Sequence, residues 1–222
     1  MPTISAEDYL KHILKLQEGE ERVSTSALAT SLSLADASVT EMLKKLAARG
    51  LVRYQPYQGV TLTEKGRGIA VRTLRRHRLW ELFLVRHLGY SWDQIHEEAE
   101  RLEHVTSEAL ETALDRALGS PQFDPHGDPI PSAEGRVHGG ASSALAALRP
   151  GAVAKIRRVA DVDPELLRHA DRLGIVPEAS LEVRERLDFD GSLRVRVAGG
   201  DRFLSAEVAR HIFVELVEER SG

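Results

Sequence analysis

The chain has 222 residues and no cysteine, which excludes disulfides, thiolate metal sites and cysteine nucleophiles together. Its 30 lysines and arginines against 34 aspartates and glutamates give a formal net charge of -4, which by itself argues against a nucleic-acid partner. No stretch approaches the ~18 consecutive apolar residues of a spanning helix, and the first residues lack a basic and apolar leader; the expectation is a soluble, cytoplasmic protein of several small modules.

Residues 4–18 (ISAEDYLKHILKLQE) set Tyr9, Leu10, Ile13, Leu14 and Leu16 at helical spacing behind Ser5, a plausible cap, and predict a first helix. Ser24 or Thr25 then caps a short helix holding Ala27, Leu28, Ala29 and Leu32. After Ser33 to Ala35 a longer helix is expected with Asp36 as its cap, Val39, Leu43 and Leu46 facing inward, and Gly50 just past its end. Short apolar runs at 51–54 and 59–62 flank Gln55-Pro56-Tyr57-Gln58 and predict a hairpin, so the segment reads as a winged helix-turn-helix.

Charge follows this division. Between Asp36 and Arg76 nine basic residues face three acids, a local net of +6, whereas between Asp93 and Arg116 eight acids face two arginines, a local net of -6. A basic module precedes an acidic one, and the whole-chain sum hides both. Ser38, Thr40, Glu41, Lys44 and Lys45 lie off the apolar stripe of the 36–49 helix; with Arg53 and Gln58 of the hairpin they are the candidate DNA contacts, since hydroxyls and lysines suit phosphates and base edges in a major groove.

Thr63-Glu64-Lys65-Gly66 opens a long helix through Leu74, Leu79, Leu82 and Phe83, broken near Gly89. Residues 91–117 form another, or two in succession, with Ile95, Ala99, Leu102, Val105 and Leu110 as the apolar stripe. A turn-rich segment at 119–131 leads into a Ser, Ala and Gly-rich linker. Beyond it VAKIRRV, SLEVRERL and LRVRVA alternate with period two, predicting a small β-barrel-like module with a helical insertion at Pro164 to Leu173 and a closing helix near Ser205 to Leu216. The fold expected is mainly α with a small β component: residues 1–73 a DNA-binding domain, 74–131 a helical metal-binding and dimerisation domain, 132–150 a linker, and 151–222 a β module.

The densest set of donors is HEEAERLEH, residues 96–104. Glu100, Glu103 and His104 stand at i, i+3 and i+4 with His96 one turn earlier, and His77 and Glu81 form a second i, i+4 pair. Imidazole and carboxylate on one stripe can hold one or two divalent cations. The string is not a zincin motif, because Glu100 stands where HExxH needs a histidine. His126 and Asp128, in the proline turn, read as structural, as do His12, His87 and His138.

In EDYLKHILKL, SVTEMLKKLAARGLV, LTEKG, RRHRLWELFL, HEEAERLEHVTSEALE and PHGDPIP the chain resembles the iron- and manganese-dependent repressors typified by the diphtheria toxin repressor and the manganese-transport regulators. The resemblance implies a winged helix-turn-helix, a helical dimerisation domain and a C-terminal SH3-like (FeoA-like) β-barrel. It implies a primary, activating site of Asp8, Glu100, Glu103 and His104. The ancillary site it implies takes His77, Glu81 and His96, completed by Glu165 or, next best, Asp161 or Asp163. Iron-type members are similar but carry sulfur at the positions of Asp8 and Glu100, where this chain has carboxylates, and hard oxygen donors favour Mn2+ with Fe2+ second. Manganese-type members resembling this chain often have a further carboxylate where Lys11 stands, which puts a closely bridged two-metal site in doubt.

The function so implied is metal-activated binding of a palindromic double-stranded DNA operator by a homodimer, repressing metal-uptake genes, without catalysis and without a membrane partner. The rival readings are a metal-dependent hydrolase, which would need an open coordination position and a general base, and a metal-binding adaptor whose winged helix binds protein.

Overall fold

The computed structural model describes residues 5–17, 22–92, 94–137 and 140–219, which divide into two compact units. His138 lies outside the described residues. The first unit comprises Met1–His77 with Leu102–Ser107 and Pro131–Val137. Helix α1 (Ala6–Gln17) starts on a reciprocal cap: the Asp8 amide donates to Ser5 Oγ at 3.2 Å and the Ser5 amide donates to Asp8 Oδ2 at 2.8 Å. Helix α2 (Thr25–Leu32) is capped by Ser24 Oγ, which accepts from the Ala27 amide at 3.0 Å. In α3 (Asp36–Ala48) the cap position belongs to Ala35, which makes no side-chain cap bond; Asp36 is instead the first helical residue, where its charge still favours the positive end of the helix.

Strands β1 (Val52–Gln55) and β2 (Gly59–Leu62) pair antiparallel with Val52 opposite Leu62. Val23 adds a bridge to Val60, and a Cβ on Gly59 would fall 2.5 Å from the Val23 carbonyl oxygen, so this close approach requires glycine. Helix α4 (Glu64–Leu88) begins by packing Gly66 on the Leu51 carbonyl, again with no room for a side chain. The core of this unit gathers Tyr9, Leu10, Ile13, Leu28, Val39, Leu43, Leu46, Val60 and Leu74. Each fully buried aliphatic side chain contributes about 1.5–3 kcal/mol, so the three inward residues of α3 hold its polar face outward.

The second unit comprises Arg78–Arg101, Glu108–Ile130 and His138–Gly222. The 91–117 stretch resolves into α5 (Ile95–Glu103) and α6 (Glu108–Ala117); between them Thr106 Oγ1 donates to the Leu102 carbonyl at 2.7 Å, and His104 falls in the turn just after α5. The proline turn is ordered by Asp124, whose Oδ1 accepts the amides of His126 and Asp128, each at 2.9 Å.

The C-terminal module is an antiparallel sheet built on Leu145, Ile156, Leu167, Val183, Val195 and Ile212. Its strands are β3 (Ser143–Ala144), β4 (Ala152–Val159), β5 (Ser180–Arg186), β6 (Leu193–Val197), β7 (Gly200–Leu204) and β8 (Ile212–Glu219), in the order β3-β8-β4-β5-β6-β7. The barrel-like module expected is present as an open six-stranded sheet, with β3 and β7 at its two edges. Helix α7 (Pro164–Leu173) falls on the predicted insertion, but the closing helix is short: α8 (Ala206–Arg210) gives way to β8, where alternately buried Ile212 and Val214 favour a strand. Part of the stretch read as linker is built in, since β3 pairs with β8 and Leu145 and Leu148 are buried in the module's core. Among the described residues no helix is long and apolar enough to cross a membrane.

Candidate metal centre

In the first unit three donors from distant parts of the sequence meet. Asp8 comes from the first turn of α1, where its cap bond uses Oδ2 and turns Oδ1 outward; Glu103 is the last residue of α5 and His104 the next. The His104 ring donates from Nε2 to Asp8 Oδ1 at 2.8 Å and from Nδ1 to Glu7 Oε2 at 2.7 Å. Both ring nitrogens thus face carboxylates. Burial pulls the imidazole pKa down, but the Glu7 hydrogen bond and the charges of Asp8 and Glu103 outweigh it and raise the value above the ordinary 6.5. Glu7 was not singled out in the sequence; its partner lies 97 positions away, beyond any local pattern.

Glu103 is fully buried. Its Oε1 accepts from Lys11 Nζ at 2.6 Å, its Oε2 accepts from His77 Nδ1 at 2.6 Å, and His104 Nε2 lies 3.5 Å from Oε1. With Nδ1 donating, the His77 atom able to ligate is Nε2. Lys11, one turn after Asp8 on α1, is as inaccessible as Glu103.

A second group of donors sits in the second unit. Glu81, His96 and Asp161 each offer an atom within 4.8 Å of the others. His96 Nδ1 lies 3.0 Å from Asp161 Oδ2 and 3.5 Å from Glu81 Oε1, and His96 Nε2 lies 3.6 Å from Glu100 Oε1. Asp163 serves instead as the α7 cap, accepting from the Glu165 amide at 2.7 Å, and Glu165 is 85% exposed beside Arg168.

His126, expected to be structural, has a different environment. It is 1% exposed, its ring stands edge-on to Trp92 with centroids 5.1 Å apart, and neither ring nitrogen has a hydrogen-bond partner among the described residues. Its charge would be felt at Asp161. Asp124, buried and close enough to Glu81 to feel its charge, has a carboxyl pushed well up by desolvation and by its neighbours Asp128 and Glu81, against the pull of Arg78. An imidazole buried without hydrogen-bond partners, and close enough to Asp161 for its charge to count there, is a candidate donor for a divalent cation. Asp128 has a structural role, pairing with Arg78 and Arg158, each at 3.3 Å.

The second group carries a pH signature. Burial works against the charged His96, yet its hydrogen bonds to Asp161 and Glu81 lift it to about 10, while the His96 bond overcomes desolvation and lowers Asp161. A folded value above the unfolded one makes the His96 contribution to metal-free stability full below pH 6.5 and lost as pH climbs through about 10. The Asp161 contribution is present above pH 3.8 and lost as pH falls through its depressed value. A ring-proton NMR titration of chelator-treated protein is expected to show His96 still protonated at pH 8; a midpoint near the free imidazole value would contradict this.

The predicted DNA contacts fall together on the first unit. Ser38, Glu41, Lys44, Lys45, Arg53 and Gln58 are exposed and Thr40 half-buried. A groove of about 550 Å³ runs between α3 and the hairpin, lined by Arg22, Thr40, Lys44, Tyr54, Tyr57 and Gln58 among others. Tyr57 stands fully exposed at the hairpin tip with φ 63°. Lys45 pairs with Glu41 at 2.6 Å along α3, both largely exposed, which leaves Lys44 the more available charge.

Residues 1–60 match the family description "Iron dependent repressor, N-terminal DNA binding domain", residues 63–132 match "Iron dependent repressor, metal binding and dimerisation domain", and residues 144–216 match "FeoA domain". The iron-dependent repressor IdeR of Mycobacterium tuberculosis is 36% identical over 127 residues, 57% of this chain and 55% of that protein, so the chain spans about half the length of this relative. The HTH-type transcriptional regulator MntR of Geobacillus kaustophilus is 41% identical over 107 residues, 48% of this chain and 75% of that one. A solved structure described as a manganese-dependent transcriptional repressor in complex with manganese superposes with a TM-score of 0.89 at 41% identity, covering 96% of this chain and 100% of the other.

Proposed function

Because this chain belongs to the family of iron- and manganese-dependent transcriptional repressors, we propose that it is a manganese-activated, DNA-binding repressor that acts as a homodimer on a palindromic operator, with ferrous iron as the second metal. On this reading it is a regulator and not an enzyme. The observation that carries the proposal is the meeting of Asp8, on the first helix of the DNA-reading module, with His104 and Glu103, which follow it by more than 90 positions.

Asp8, Glu103 and His104 hold the activating ion, with Glu100 one helical turn before His104 as the fourth ligand. Glu81, His96, Asp161 and His126 hold a second ion; Asp163 and Glu165 are given up as ligands in favour of helix capping and solvent. When bound, a divalent cation supplies positive charge where carboxylates otherwise repel. Glu7 keeps its place at His104 Nδ1 and fixes the ring so that Nε2 is presented for ligation once its proton has left. Ligation therefore joins α1 to the turn after α5 and favours the arrangement of DNA-reading heads that fits two half-sites. Metal and operator must then strengthen each other by the same factor.

The donor set lacks sulfur and is mostly carboxylate oxygen, a hard ligand that suits manganese, with borderline imidazole nitrogen beside it. Ser38, Thr40, Lys44 and the hairpin residues Arg53 and Gln58 make the DNA contacts. Fluorescence anisotropy on a family operator is expected to give tight binding with manganese and loss of it with chelator; binding indifferent to both would defeat the proposal. Lys44→Ala is expected to weaken binding to all sequences alike and to reduce the slope of log affinity against log salt by about 1, the mark of one phosphate contact. An unchanged salt slope would move Lys44 off the backbone.

A further inference from the structure

We propose that Trp92 is a positioning residue of the second centre, an indole that binds no metal but sets the ring of His126 and shields it from water. The inference rests on the reading above that Glu81, His96, Asp161 and His126 hold a second ion, and it adds what fixes the last of them. The backbone of His126 is pinned on both sides. Its amide donates to Asp124 Oδ1 and its carbonyl accepts from the Val159 amide, each at 2.9 Å. The next residue, Gly127, passes so close to the Arg157 carbonyl of β4 that no side chain would fit there. The imidazole has no such restraint, because neither Nδ1 nor Nε2 meets a hydrogen-bond partner among the described residues.

A histidine that ligates a metal ordinarily has its other ring nitrogen held by a carboxylate or a carbonyl, which sets tautomer and orientation together. For His126 packing must supply the orientation, and the aromatic side chain against it is Trp92: the two rings stand edge-on at 81° with centroids 5.1 Å apart. Trp92 also packs against the core of the C-terminal module. It lies in a turn closed by the Gln94 amide on the Ser91 carbonyl at 3.0 Å, immediately before α5. The indole therefore touches the ring of His126 and the module whose β4 leads to Asp161, and it precedes the helix that carries His96. Removing it would free the imidazole to turn and let water reach it without altering a ligand. An indole that only stabilised the fold would instead affect manganese affinity equally whether or not His126 is present.

The test isolates the second centre in the full chain carrying Asp8→Asn and His104→Ala, and reads manganese affinity by calorimetry. Trp92→Leu keeps an apolar side chain and loses the ring; it is expected to weaken manganese binding about 10-fold or more, as loss of an outer partner of a ligand does. Trp92→Phe restores an aromatic edge and is expected to recover most of that loss. With His126→Ala already in place, Trp92→Leu is expected to cost nothing further, because the ring it positions is gone. Unchanged affinity in Trp92→Leu, a loss of the same size with and without His126, or phenylalanine no better than leucine would each overturn the proposal. Circular dichroism checks that each variant is folded, and Trp92→Met, also apolar and without a ring, takes the place of leucine if that variant unfolds. No manganese bound by the background protein with Trp92 intact would instead defeat the second-centre reading, so the two failures are told apart.

Discussion

His104→Ala is expected to abolish manganese-dependent operator binding while leaving the fold of the first unit intact. Losing an outer partner of a metal ligand costs about 10–100-fold in affinity, so removing a ligand outright is expected to cost more than about 100-fold. His104 is the informative choice among the proposed ligands. It is partly exposed, and the buried contacts of Glu103 to Lys11 and His77 do not depend on it. Glu103→Ala would confound the result by leaving Lys11 buried without its carboxylate. Calorimetry should show the manganese affinity falling, and anisotropy should show operator binding reduced to its chelated level. Retention of manganese-stimulated binding by His104→Ala would remove the activating centre from the place assigned to it.

The largest effect on stability is expected at Lys11→Met. Taking one member from a buried ion pair costs about 3–5 kcal/mol, because the remaining charge keeps its desolvation penalty and loses its counter-charge. Glu103 and Lys11 are both 0% exposed, so solvent cannot soften the loss. Urea unfolding in chelator, followed by far-ultraviolet circular dichroism, should show the transition of the first unit moved to lower denaturant. Saturating manganese should restore part of the difference, since a cation that binds only the folded centre stabilises it by mass action. A variant as stable as the parent in chelator would mean that the ammonium contributes little to holding Glu103.

Local signals in the sequence were sufficient wherever structure is set by neighbours along the chain. Helix α7 is legible because Asp163, Pro164 and Gly174 mark its two ends within a dozen residues. The winged helix followed from apolar spacing and the turn at Pro56, and the donors Glu100, Glu103 and His104 from helical periodicity. What the sequence concealed depends on long-range contact. Ile212 to Leu216 joined on to a helical pattern, and only pairing with β3 and β4 makes it a strand. Leu145 and Leu148 looked like the tail of a linker because the core that buries them is formed by strands still to come. His126 sits in a proline turn and looks structural until its burial without hydrogen-bond partners is seen. Lys11 was legible as a residue unable to bind metal, but its pairing with Glu103, 92 positions away, was not.

The place of β8 in its sheet has a consequence for synthesis. It follows every other strand in sequence yet lies between β3 and β4. The four-strand ribbon from β4 to β7 can pair as it leaves the ribosome, but β3 has no neighbour and β4 keeps one edge bare until β8 arrives. The DNA-reading helices, whose contacts are mostly local, can assemble well before that. A ribosome stalled between α8 and β8 would therefore carry a folded winged helix above a sheet with an open interior edge, the kind of surface chaperones bind and neighbouring chains invade. Loss of a few residues from β8 would do lasting harm of the same kind, far beyond what trimming an edge strand such as β7 would cause.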